Sequence, residues 1–424
     1  MEDTSCLQVP CLCQKQRGKG EQKVPDDWFA VSLGLPELEV LYQRSLEGGS
    51  LEVTVRYRTQ TASCPGCGKP AVIVHATTAQ RKKDRRIWNR PLTLILFKRR
   101  FHCHRCGKVF TEADPIFGHR RRSTRRLREH VACRAIEQPA SQVARQEGVS
   151  ASLVRRSFQD AYYHRWEEVR DHPRAAPVIS LDEFSRAKRC YETLVYDPLA
   201  GEVLGLLPGN GGGPLRAYLE KLPDPDQVRV VTMDMHDPFR QAVQLCLPYA
   251  RVVVDKFHFL RMAHHALGQV RVTLQQEGAS PEATRLFRGR RLLLVAQERL
   301  RPGDWVKLRA LFRLAPDLQT AWELKEELRQ WYRSGSWEQA RQKIQLWAAK
   351  VRQCGLASFQ PLLSTLREWG EEILNYFHCP FTSGPLEGKN NRIKVIKRMA
   401  YGYRNPDNLR MRILLTNKTM RATA

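Results

Sequence analysis

The sequence is short of acid and of long apolar runs. It carries 44 Asp and Glu against 70 Lys and Arg in 424 residues, a formal net charge of +26. A pI near 9.9 implies a polyanionic partner, above all nucleic acid. The longest apolar stretches, such as residues 92–97, are far too short to span a bilayer, so no membrane partner is expected. No basic start leads into an apolar signal core. With no export signal, the twelve cysteines favour metal binding in a reducing compartment over disulfides. A nucleotide loop is also missing. The run Gly209-Asn210-Gly211-Gly212-Gly213 has no Gly-Lys-Ser/Thr and no dinucleotide spacing, so it reads as a flexible connection and no nucleotide cofactor is expected. The length leaves room for two or three domains with a substantial core.

What is present divides along the chain. Residues 1–34 read as a polar, poorly ordered leader, whose Cys6, Cys11 and Cys13 lack a second pair nearby and are expected to be unpaired thiols. Residues 35–115 turn to short strands, with Leu51, Val53, Val55 and Tyr57 alternating with polar neighbours. Two knuckles follow, Cys64-Pro65-Gly66-Cys67-Gly68 and Cys103-His104-Arg105-Cys106-Gly107. One Cys-x-x-Cys pair is often coincidence or a redox pair. Two, each followed by glycine, predict a zinc ribbon in which Cys64, Cys67, Cys103 and Cys106 close a structural Zn²⁺ site. Basic residues crowd around it: Arg81 to Arg134 holds 18 Lys and Arg against 4 Asp and Glu. Lys82, Lys83, Arg85, Arg86, Arg99 and Arg100 are expected to face DNA phosphates, and His102 and His104 to face DNA or solvent.

Residues 116–170 read as a helix-turn-helix domain. Ser123 or Thr124 can cap a first helix through Leu127, Val131 and Ile136, which Pro139 ends. In the segment 140–156, Ala144 is small enough for two helices to touch, Gly148 supplies the turn, Val149 and Val154 fill the core and Ser150 caps the second helix. That helix would present Ser152, Arg155, Arg156 and Gln159 to the major groove.

Beyond Pro173 and Pro177 the residue types change. Residues 175–260 read as an α/β domain. Val178-Ile179-Ser180-Leu181 is a buried strand with Asp182 at its end, and alternation turns Glu183 to the opposite face. Residues 191–196 and 202–207 are two more strands. Strand 228–233 ends in Asp234, and 251–254 ends in Asp255-Lys256-Phe257-His258. Single acids at strand ends are common caps. Two or three on neighbouring strands repel one another, and a divalent cation offsets that cost. Residues 261–374 show helical spacing and six Trp; they read as an all-helical insertion with the Trp in its core. In residues 375–416, Glu387 is the only acid between Glu372 and Asp407. Pro385 fits the first turn of a helix on which Glu387, Asn391, Lys394 and Arg398 would share one face.

In this order the parts resemble the ISL-three family of bacterial insertion-sequence transposases, over roughly residues 35 to 415. The resemblance rests on the paired knuckles, the helix-turn-helix, Leu181-Asp182-Glu183-Phe184-Ser185, Thr232-Met233-Asp234-Met235, Asp255-Lys256-Phe257-His258 and the block Gly384-Pro385-Leu386-Glu387-Gly388-Lys389-Asn390-Asn391-Arg392-Ile393-Lys394. Tyr401-Gly402-Tyr403-Arg404-Asn405 continues that block. The Gly-rich run 209–213 and Thr382-Ser383-Gly384 depart from the family pattern but touch no proposed ligand.

The resemblance implies a multidomain α/β protein: a zinc ribbon, a helix-turn-helix and a ribonuclease-H-like catalytic domain interrupted by an all-α insertion. Carried over by position, the DDE triad is Asp182, Asp234 and Glu387, with Asp255 as a competitor for the second place. These acids would hold two Mg²⁺ (or Mn²⁺) ions for hydrolysis of the DNA ends and joining of the 3′-OH ends to target DNA. Lys394 and Arg398 would hold scissile phosphates, and the N-terminal modules would bind the terminal inverted repeats. Two DNA ends imply a homodimer in the synaptic complex, and the family implies a cytoplasmic, nucleoid-associated protein. Two other readings stay open: a structure-specific nuclease on the same fold, and a DNA-binding regulator with an inactive transposase domain.

Overall fold

The computed structural model describes residues 33–417 apart from 119, 278–279, 383, 401–402 and 404. Cys6, Cys11 and Cys13 lie outside the described residues. The chain divides into two compact units. One ends with Ala135 but regains Ala140–Ser157; the other takes Ile136–Pro139 and everything from Phe158 on.

The first unit is built on a five-stranded sheet. β1 (Leu38–Ser45) pairs with β2 (Leu51–Tyr57). Two-residue strands β3 (Ala62–Ser63) and β4 (Pro70–Ala71) flank the first Cys knuckle. β5 (Ile73–Ile87) and β6 (Arg90–His102) form a long antiparallel hairpin. β7 (Val109–Thr111) adds to β6, and β2 runs parallel to β6, giving the order β1-β2-β6-β5. The alternation in β2 and β6 explains the core: Val53, Val55, Leu94 and Leu96 are fully buried beside Phe117.

Helix α1 (Arg125–Glu137) starts where Thr124 Oγ1 accepts from the NH of Leu127 at 3.2 Å, so Thr124 is the capping residue. α2 (Ala140–Glu147) and α3 (Ala151–Asp171) follow. Gly148 between them has φ 65°, and Ser150 Oγ accepts from the NH of Leu153 at 3.2 Å, as the turn chemistry predicts.

The second unit holds a mixed sheet. β8 (Val178–Ala187), β9 (Cys190–Asp197) and β10 (Glu202–Pro208) form an antiparallel meander. α4 (Gly212–Leu219) leads to β11 (Val230–Met233), and α5 (Asp237–Cys246) to β12 (Arg251–Val254). β11 is parallel to both β8 and β12, so the order is β10-β9-β8-β11-β12.

One expectation needs correcting. Asp182 does not end its strand: β8 continues to Ala187 through pairing with β9. The parallel ladder with β11, however, stops at Ser180–Thr232. Asp182 therefore stands just past the end of its parallel neighbour, where side chains from β8 and β11 can meet.

Between β12 and the C-terminal helices lie α6 (Lys256–Glu277), α7 (Ser280–Gly289), α8 (Pro302–Leu314), α9 (Pro316–Trp331), α10 (Trp337–Gln353) and α11 (Gln360–Leu374). Trp322, Trp331, Trp347 and Trp369 are buried in their common core and Trp305 packs against it. Trp337 instead stacks on His378. α12 (Gly384–Met399) and α13 (Pro406–Leu414) close the described chain. No described helix is long and apolar enough to cross a membrane.

Candidate active site and zinc site

The two Cys knuckles repeat one another. The NH of Gly68 donates to the carbonyl of Cys64 at 2.9 Å, and that of Gly107 to Cys103 at 2.8 Å. Both glycines have φ 70°, a left-handed turn that glycine makes without steric cost. All four sulfurs lie within 4.8 Å of one another, with Cys64–Cys106 at 3.5 Å and Cys67–Cys103 at 3.6 Å. Such edges suit a tetrahedron with bonds of about 2.3 Å, the zinc–thiolate length. Burial raises the Cys64 thiol, but the NH groups of Gly66 and Cys67 outweigh it and bring it down to about 6. The NH of Lys108 lowers Cys106, yet hydrogen bonds to the neighbouring sulfurs, together with burial, push it up to about 11; a bound dication would favour the thiolate instead. The cluster supports a structural zinc.

The basic residues of this unit sort into two groups. Lys82 is buried, donates to the carbonyl of Arg121 at 2.6 Å and lies 3.7 Å from Asp114. Arg99 is buried against Glu112 at 2.7 Å and donates to the carbonyl of Thr59. Neither can face phosphate, because each neutralises a buried carboxylate. Lys83, Arg85, Arg100, Ser152, Arg155 and Arg156 are exposed, and Arg86 is half-buried. In the second unit Gln159 is also engaged, donating to Asn408 at 3.2 Å, so it leaves the groove-reading set.

The second unit gathers its acids around an open cleft of about 740 Å³. Asp182, Asp234, Asp255 and Glu387 line it together with His258, Arg261, Asn390, Lys394, Lys397 and Arg398. Four elements deliver the acids: mid-β8, the ends of β11 and β12, and the first turn of α12. Asp182 Oδ1 accepts from the NH of Glu183 at 2.7 Å, and Oδ2 accepts from Asn390 Nδ2. Burial, then the charge of Asp234, pushes Asp182 up to about 6; the NH of Glu183, His258 and Asn390 pull against that rise.

His258 Nδ1 lies 2.7 Å from Asp234 and 3.3 Å from Asp255. Burial lowers His258, but hydrogen bonds to both carboxylates prevail and bring it up to about 9. The imidazolium therefore bridges two acids that would otherwise repel. Asp255 is also the more committed of the pair: it is buried, and its Oδ1 accepts from the NH of Phe257 at 3.2 Å at the start of α6.

Two residues of this cleft were missed by sequence reasoning. In the sequence His258 stands out only as the last residue of Asp255-Lys256-Phe257-His258. Its position three residues after Asp255, in the first turn of α6, returns its ring to the strand ends. Asn390, not Asn391, faces the cleft. Leu386, Ile393 and Ile396 are the buried stripe of α12, and that stripe sets the phase. Glu183 also lines the cleft, but its carboxylate is engaged, accepting from Asn210 at 2.6 Å.

A family model for ISL3-type DDE transposases, described as a transposase, matches residues 179–413. The chain belongs to this family. A second model, described as the zinc-finger of transposases IS204, IS1001, IS1096 and IS1165, matches residues 60–106 and so takes in all four knuckle cysteines. The chain is 29% identical over 381 residues to the transposase for insertion sequence element IS1001 of Bordetella parapertussis, covering 85% of this chain and 90% of that one. It is 26% identical over 264 residues to the transposase for element IS1557 of Mycobacterium tuberculosis, covering 56% and 59%. A Lactococcus lactis protein named as an ATP-dependent protease matches at 40% over 57 residues, only 13% of this chain and 18% of its own length, too little to carry a function. The protein is thus an insertion-sequence transposase with an N-terminal zinc ribbon, and its family implies enzymatic transposition and binding to DNA.

Proposed function

We propose that this transposase binds the terminal inverted repeats of its element, hydrolyses the DNA ends and joins the freed 3′-OH ends to target DNA, with Asp182, Asp234 and Glu387 as the catalytic acids. The observation that carries this reading is the cleft they share, with cations of α12 along its rim. The strand order β10-β9-β8-β11-β12, with three antiparallel strands followed by parallel ones, supports a ribonuclease-H-like catalytic domain. The helices between β12 and α12 support an all-α insertion within it.

The donor set fits hard divalent cations, Mg²⁺ or Mn²⁺, which prefer carboxylate and amide oxygens. Asp182 is held above its ordinary range beside Asp234, and Asn390 Oδ1 is buried with no hydrogen-bond partner among the described residues. When bound, two such ions activate a water and stabilise the departing 3′ oxygen. The protein's own part is positioning. Asn390 and the NH of Glu183 orient the two oxygens of Asp182. His258 holds Asp234 against Asp255. Lys394 and Arg398, one turn apart on α12, hold the scissile phosphates. The zinc ribbon and the second helix of the helix-turn-helix supply end recognition, and two ends brought together call for a homodimer.

The test is incubation of full-length protein with end-bearing duplex and Mg²⁺, comparing wild type with Asp182→Ala and Glu387→Ala. Wild type should nick at the element boundary and join ends to a target plasmid, while both variants bind and stay inert. Binding without cutting in all three would leave only a DNA-binding regulator. Cutting without joining would favour a nuclease.

A further inference from the structure

The cleft of the second unit has a side chamber that the chemistry proposed above does not use. A recess of about 260 Å³ opens beside the acids, and Asp182 and Asp234 line both spaces. Three pieces of chain enclose it. β8 supplies the buried Leu181. The turn from β11 into α5 supplies Met235 and His236, and it is tight: the NH of His236 donates to the carbonyl of Asp234 at 2.8 Å. α6 supplies His258, Arg261 and Met262, which share one helix face at i, i+3 and i+4.

The walls differ in character from the rest of the cleft. Leu181, Met235, Phe239 and Met262 line the recess with carbon and sulfur. Phe239 sits in the first turn of α5, where its ring meets that of His236 edge-on with centroids 4.4 Å apart. Met235 and Met262 also pack against the core of the helical insertion, and Thr365 Oγ1 lies 3.8 Å from the Met262 sulfur. The fold thus anchors these walls from behind.

Nothing that phosphodiester hydrolysis itself needs is apolar. Phosphate oxygens, divalent ions and the attacking water all call for polar partners. The apolar part of a nucleotide is its base, which lies one sugar away from the phosphate. A phosphate at Asp182 and Asp234 therefore brings its own base to the mouth of the recess. The volume agrees. It falls below the roughly 300–1,000 Å³ of sites that enclose drug-sized ligands, and so suits a single planar ring system. Thioethers make favourable contacts with such rings and adapt to their outline. Arg261, which lines both spaces and is exposed, supplies a cation for the sugar-phosphate chain at the entrance.

We propose that the recess is a nucleobase pocket, taking one base, swung out of the duplex, from the nucleotide adjoining the scissile phosphate. This rests on the catalytic reading above and adds a base contact to a cleft otherwise addressed to phosphate. Its effect is positional: a base held in the recess fixes which phosphate lies at the acids.

The test uses full-length protein and duplexes spanning the element boundary, with 2-aminopurine or an abasic residue placed in turn at each position beside the cut. In metal-free buffer wild type should raise 2-aminopurine fluorescence at one position, where the base leaves the stack, and not at its neighbours. Met262→Trp fills the recess with a ring of its own. With Mg²⁺ it should cut the natural duplex about 10-fold more slowly than wild type. On the duplex that is abasic at that position, the two proteins should cut within about twofold of each other, because no base is left to exclude. A variant equally slow on both duplexes would overturn the proposal, since its defect would be structural. So would a variant as fast as wild type on the natural duplex. Wild type that cuts at the boundary without unstacking any base there would also overturn it, needs no variant to fold, and leaves the catalytic reading standing. Wild type that binds and never cuts would fail the catalytic reading first, and this one with it.

Discussion

Replacing Asp182 by Asn should abolish cleavage and yet stabilise the metal-free protein. An unfolded chain titrates this carboxyl near 3.8, whereas the folded site lifts it to about 6 through burial and the charge of Asp234. Below 3.8 the group is protonated in both states and costs nothing. As pH rises from there to about 6 the unfolded state ionises first, so stability is lost, and above about 6 the full cost is in place. That cost is about 3 kcal/mol at most. Solvent access and local adjustment should reduce it to about 1–2 kcal/mol. The carboxamide keeps an oxygen for the NH of Glu183, and the Asn390 amide can turn its unpartnered Oδ1 toward the new NH₂. For a unit of this size the gain corresponds to a melting rise of about 3–6 °C. Scanning calorimetry at neutral pH without divalent ions should show it, and the gap should shrink toward zero near pH 4, at the unfolded value. Added Mg²⁺ should close the gap at neutral pH, because only wild type keeps the full carboxylate set. A variant no more stable than wild type at neutral pH, or a gap that ignores pH, would refute the electrostatic account of this cleft.

Cys103→Ser should lower bound zinc, measured by elemental analysis, and loosen the ribbon enough to weaken end binding; unchanged zinc content would argue against the four-sulfur site. Arg99→Ala and Arg100→Ala should behave oppositely although they are neighbours. Arg99→Ala leaves Glu112 buried and unpaired, costing about 3–5 kcal/mol in denaturant melts. Arg100→Ala should leave stability unchanged and reduce the salt slope of DNA binding by about one. Asn390→Ala should raise the Mg²⁺ needed for half-maximal cleavage about tenfold; an unchanged requirement would make Asn390 a packing residue.

The parts legible in the sequence are those set by short-range patterns. The knuckles follow from Cys and Gly spacing alone, and the Thr124 and Ser150 caps from residue type. Val178–Leu181 announces a central strand by its apolar run. What stayed hidden depends on partners distant in sequence. Lys82 and Arg99 look like any surface cation until Asp114 and Glu112 are placed beside them. Gln159 is claimed by Asn408, which lies 249 residues away. The length of β8 is decided by β9, and the meaning of Asp182's place within it by where β11 stops. Asn390 is legible in principle, since Leu386, Ile393 and Ile396 fix the inner face of α12, but helical spacing from Glu387 to Lys394 and Arg398 points to Asn391 instead.

The most direct test of the central claim is where a divalent ion sits in the cleft. Crystals of the full-length protein with end-bearing DNA and Mn²⁺, measured at a wavelength where manganese scatters anomalously, would show it. The account predicts density between Asp182, Asp234 and Glu387, lost in Glu387→Ala. Manganese held by Asp234, Asp255 and His258 with Glu387 turned away would contradict it.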